Sequence, residues 1–156
     1  MRLKFSGTAG EYPVVPATGG NVPDYRVRLE DVQEGLSRET NKGMISCRAI
    51  IVGGEYDGVG LPHQWSTQEQ AIWRLEQDMW GLGLISDDRR GKPFELESAE
   101  VVAVLNGIEA FATVYTDNYK GQDRSKVGSL RSIESAAKPA PAPAPSPAPT
   151  KSKKPF

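Results

Sequence analysis

The side chains that could do covalent or acid-base chemistry are few in this sequence. His63 is the single histidine and Cys47 the single cysteine. A catalytic mechanism would need such a group within hydrogen-bond reach of a partner base, acid or nucleophile. His63 sits in a strand-like stretch with no serine, cysteine or acid patterned around it, and Cys47 sits in an apolar run, so both read as structural. Asp87-Asp88 precedes Arg89-Arg90-Gly91-Lys92 and reads as a solvated charged loop, not a metal site. Gly53-Gly54 lacks the Lys-Ser/Thr that a phosphate-cradling loop requires. No catalytic residue, metal or cofactor is expected, and the chain does not read as an enzyme.

Basic and aromatic side chains are the remaining chemistry. Arg26, Arg28, Arg48, Arg124 and Lys126 alternate with apolar neighbours, so strand parity points them away from the core. Arg38, Lys42, Tyr56, Tyr119 and Lys120 fall in connections, and Trp65 closes an apolar stretch. An outward cation either pairs with a cross-strand acid or meets an anionic ligand, and a ring either stacks on a ligand or joins the core. Residue types alone leave both readings open at each position. Charge adds a constraint: four of the 19 basic residues are Lys138, Lys151, Lys153 and Lys154, in a terminal stretch without acids, which leaves 15 against 20 acids for the remainder. A mildly acidic body argues against binding duplex DNA by bulk charge.

The elements that must position these residues follow from periodicity. Tyr25 to Val32 alternates apolar and charged residues, Met44 to Val52 is a second strand, and Val59 to Trp65 a third that Pro62 restricts to an edge or a strand end. Ser66-Thr67-Gln68-Glu69 has the form of a capping box, opening a helix to about Trp80 with Ile72, Leu75, Met79 and Leu82 on one face. Ser98 to Leu105 reads as a short second helix. Glu109 to Thr116 and Arg124 to Ile133 complete the strands, joined by a turn at 117–122. The expected organisation is an irregular lead-in over 1–23 that packs on the barrel, with a short strand at Arg2 to Phe5, a folded domain over 24–134, and a disordered Pro/Ala-rich basic tail over 135–156. Three strands, a helix, then two strands is the order of a mainly β, OB-like five-stranded Greek-key barrel with its helix between the third and fourth strands. Met1 to Tyr12 has no apolar signal region and no stretch of about 18 apolar residues occurs, so neither secretion nor membrane spanning is expected.

Leu3-Lys4-Phe5, the strand from Tyr25, Asn41-Lys42-Gly43, Gly54-Glu55-Tyr56-Asp57-Gly58, Ala71-Ile72-Trp73-Arg74-Leu75, Gly81-Leu82-Gly83-Leu84 and Tyr119-Lys120-Gly121-Gln122-Asp123-Arg124-Ser125-Lys126-Val127 occur in that order. Together they resemble a phage family of small OB-fold proteins, filed as a domain of unknown function and encoded beside recombination and replication genes. The resemblance implies single-stranded DNA as ligand, a role in phage DNA replication or recombination, and the cytoplasm of an infected bacterial host as location. It makes Arg26, Arg28, Arg38, Lys42, Arg48, Lys120, Arg124 and Lys126 candidate phosphate contacts, with Tyr56, Trp65 and Tyr119 as stacking rings. The rival reading is a non-catalytic adaptor for a phage recombinase or helicase.

Two further features carry partner expectations. Trp73 and Trp80 lie off the main apolar stripe, so either the second helix or the lead-in covers them, or they form the face of a homo-oligomer. The terminal stretch, Pro139 to Pro149 followed by the lysines and Pro155-Phe156, reads as a polyproline spacer that holds its lysines away from the barrel for nucleic acid or a replication partner, or simply for solubility.

Overall fold

The computed structural model describes residues 1–4, 13–133 and 155–156. Strands β1 (Tyr25–Leu36), β2 (Gly43–Ile51) and β3 (Gly60–Ser66) precede helices α1 (Trp73–Gly81) and α2 (Ser98–Leu105), and β4 (Glu109–Tyr119) and β5 (Gln122–Ser132) follow. All five strands join one antiparallel sheet in the order β3-β2-β1-β4-β5, an OB-like arrangement with α1 between β3 and β4. No helix among the described residues is long and apolar enough to cross a membrane.

Alternation sets the core. Val27 and Leu29 of β1 pair with Ile51 and Ala49 of β2, and all four are buried on the inner face, while Arg26, Arg28 and Arg48 face outward. Beyond Glu30 the register shifts, and Asp31 takes a positive φ of 56°. This bulge turns Val32 inward, where the Asn106 side-chain oxygen accepts its N–H at 3.3 Å, and it lets β1 run on to Leu36. The expected strand end at Val32 is therefore four residues short.

The turn expected over 117–122 is mostly ladder. Asp117 pairs with Arg124, Asn118 with Asp123 and Tyr119 with Gln122, leaving Lys120-Gly121 as a two-residue connection with both φ values positive. That conformation matches the right-handed twist of the flanking strands. The capping box does not form. Ser66 is the last residue of β3, its hydroxyl accepts the Gln68 N–H at 3.2 Å, and α1 begins only at Trp73 without a side-chain cap.

The lead-in lies against the β4–β5 hairpin where its register shifts between Ala112 and Val114. Ser125 Oγ accepts the Val15 N–H at 2.7 Å and donates to the Val15 carbonyl at 3.1 Å, and Thr18 exchanges bonds with the Val114 backbone. Met1 to Lys4 form no strand, and Phe5 lies outside the described residues.

Edge strands β3 and β5 come together without being ladder neighbours, and α1 fills the seam. Gly81 is needed here because a Cβ at that position would lie 2.5 Å from the Leu130 carbonyl oxygen. One turn earlier, the buried Asp78 carboxylate accepts the Trp65 indole N–H of β3 at 2.8 Å on Oδ2 and the Leu130 N–H of β5 at 3.3 Å on Oδ1.

Two stability outcomes follow. Asp78→Ala strands both donors in the interior and is expected to cost about 3 kcal/mol, read as a fall in the urea midpoint without a change in slope. Lys120→Asn supplies a residue suited to positive φ and is expected to gain roughly 0.5–1 kcal/mol by the same measurement.

Candidate functional site

Along the seam runs a groove of about 1350 Å³. The 37–39 stretch after β1 and the tip of the β4–β5 hairpin form one end, the outward face of β5 one wall, and the first turns of α1 the other. Asp78, His63 and Trp65 lie at its floor.

Rings and cations rim it. Trp73, at the start of α1, is 54% exposed, and Tyr115 of β4 is 49% exposed. The Arg74 guanidinium lies over the Trp73 ring at 5.3 Å. Arg38 is exposed and Lys126 half-buried, and neither forms an ion pair among the described residues. Arg124 pairs with Asp117 at 3.1 Å and covers the Tyr119 ring at 4.2 Å, with Lys120 over the same ring at 5.2 Å. The Tyr119 hydroxyl donates to Glu39 at 3.3 Å, tying the two loop regions at that end together. Flat faces beside unpaired cations can hold planar rings and anionic groups at once.

The residues singled out from sequence divide into two sets. Arg38, Tyr119, Arg124 and Lys126 meet on the groove, with Lys120 at the adjoining hairpin tip. Arg26 and Arg28 do not: Glu109 holds the first at 2.6 Å and Glu30 the second at 2.6 Å, on the outer face of β1. Lys42 and Arg48 are exposed but lie outside the groove lining. Tyr56 packs edge-on against Tyr25 at 6.3 Å between centroids. Trp65 lines the floor yet is 3% exposed with its N–H committed to Asp78, so the stacking role expected for it is overturned by burial.

Trp73 and Trp80 also part company. Trp80 is half-buried under Arg90, whose guanidinium lies 4.5 Å from the ring, and its N–H reaches Glu76 at 3.4 Å. Arg90, which follows a 3₁₀ turn at Asp87–Arg89, covers one face of that ring. Trp73 belongs to the groove. Sequence reasoning missed Tyr115 and Arg74 as site residues. The signal for Tyr115 was present, since it follows the inward Val114 and stands opposite outward Lys126.

His63 lies on the inner face opposite Cys47, its ring edge-on to Trp65 at 4.6 Å. Its Nε2 is 3.9 Å from Asp78 Oδ2, too long for a hydrogen bond, and has no partner among the described residues. The fold thus supplies the acid that the local sequence around His63 lacks. No group of three or more metal-ligating side chains is assembled among the described residues. Comparison with protein-family models and with curated proteins finds no match for the chain.

Burial, aided by the Asp78 charge, pushes the Cys47 thiol from 9.0 up to about 12. Its folded-state value lies above its unfolded one, so this thiol's contribution to stability is whole below about pH 9 and is lost as pH rises toward 12. At pH 8 the native thiol is expected to resist DTNB and to react at the rate of unfolding. Between pH 9 and 11 the wild type should lose more of its urea midpoint than Cys47→Ala does.

Proposed function

We propose that this chain is a non-catalytic single-stranded-DNA-binding protein and that the seam groove receives the strand. The observation that carries the reading is the meeting of exposed Trp73 and Tyr115 with unpaired Arg38 and Lys126 on one groove. Bases of a single strand are free to stack on such rings, at about 1–3 kcal/mol each, while a duplex keeps its bases stacked on one another. The cations neutralise phosphates, and the acidic remainder of the surface disfavours longer polyanions that would spread beyond the groove. OB-like folds use the same loop regions for oligonucleotides. The sequence resemblance to a phage family supports a place in phage DNA replication or recombination, in the cytoplasm of the infected host.

Arg26 and Arg28 have no part in this reading, because Glu109 and Glu30 already neutralise them. The acid excess of the body, 20 acids against 15 basic residues outside the terminal stretch, favours the second reading, an adaptor for a recombinase or helicase.

Fluorescence anisotropy with oligo-dT, and with duplex of equal length as control, separates the two. Trp73→Ala and Tyr115→Ala are each expected to weaken oligo-dT binding by roughly 5- to 100-fold, in line with one lost stacking contact. With Arg38, Arg74 and Lys126 as phosphate contacts, the logarithmic salt slope should be about −2, and Lys126→Ala should make it shallower. Arg26→Ala should leave both unchanged. A well-folded protein with no oligo-dT binding near physiological salt selects the adaptor.

A further inference from the structure

Phe156, at the far end of a stretch expected to stand clear of the domain, returns to it. The chain from 134 to 154 lies outside the described residues, but Pro155 and Phe156 are placed, and Phe156 is 9% exposed with its ring in the main apolar cluster. It seats beside the strip Leu84–Ser86, which follows α1 after Gly83. The Phe156 N–H donates to the Leu84 carbonyl at 3.0 Å, and the Phe156 carbonyl accepts the Ser86 N–H at 2.5 Å. Ile85, between these two, is buried. One residue giving to the carbonyl before Ile85 and taking from the amide after it is how a parallel strand adds to an extended segment. The Ser86 hydroxyl is engaged by Asp88, so the backbone N–H is what Ser86 offers to Phe156.

We propose that Leu84–Ser86 is a docking slot for a Pro-Phe segment, occupied here by the chain's own Pro155–Phe156, and that this clasp opens while the domain stays folded. Main-chain bonds on both sides of Ile85 give the slot its direction, and the buried ring gives it selectivity for an aromatic residue. The preceding proline fixes its own φ, which reduces the entropy lost when the segment is ordered. One ring and two hydrogen bonds are a small contact beside the core, so the clasp opens at lower free energy than the sheet. Because slot and segment belong to one chain, docking is intramolecular, so even a weak slot remains filled. This assignment does not depend on the groove or on nucleic acid.

The test uses the full-length chain and a fluorescein-labelled hexapeptide copying Lys151–Phe156. Full-length Phe156→Ala, its slot emptied, should bind the peptide saturably. Wild type should bind it at least tenfold more weakly because its own segment competes, and a peptide with alanine in place of its phenylalanine should be at least tenfold weaker on the variant. Equal binding of the two peptides, or none to the folded variant, overturns the slot. Hydrogen exchange on the wild type tests the clasp even if the variant misfolds. The Ser86 and Phe156 amides should be protected and should lose that protection at lower urea than the Leu29 amide. Absence of protection at Ser86, or loss only together with Leu29, overturns it.

Discussion

A buried carboxylate bridges what the sheet's own ladder leaves unpaired. The strand order places β3 and β5 at the two edges of the sheet, and unpaired edges in the interior would leave backbone and indole donors without acceptors. Asp78 meets both needs, one oxygen for Trp65 and the other for Leu130. A charge at such depth is tolerated because donors from two elements surround it. The helix that carries this contact also carries Trp73, one turn and a half upstream and exposed on the groove. Groove and seam therefore share one helix.

The sheet was largely legible because strand alternation is local. Tyr25 to Val32 states its own inward and outward faces, and so do Met44 to Val52 and the residues after Glu109. What the sequence concealed was backbone conformation at single residues. Asp31 and Lys120 are ordinary polar residues that take positive φ only because the bulge and the tight hairpin demand it. Their effect is to lengthen β1, β4 and β5 beyond the points where alternation stops being readable. The capping box failed for a related reason: pairing of Ser66 with Met44 keeps it in β3, and strand pairing outweighs a local preference to start a helix.

The candidate site was half legible. Parity correctly sent Arg26, Arg28, Arg124 and Lys126 outward, but it says nothing about which acid each one meets. Arg26 and Glu109 are 83 positions apart and become neighbours only through the β1–β4 pairing. Trp65 and Asp78 are likewise joined by tertiary closure, which turned an expected stacking ring into a core residue. Sorting by partner sets Arg26 and Arg28, neutralised by Glu109 and Glu30, apart from Arg38 and Lys126, which rim the groove without an ion pair among the described residues. It also shows how an acidic body can present a cationic rim: much of its negative charge lies elsewhere or is already balanced locally.

A seam bridged by side chains, with no ladder across it, gives the domain a directional mechanical weakness. A ladder pulled along its strands distributes the load across a row of bonds, whereas tension drawn between β3 and β5 would fall on side-chain packing and the two bonds to Asp78. Such a domain would resist stretching along its hairpins and part early across the seam.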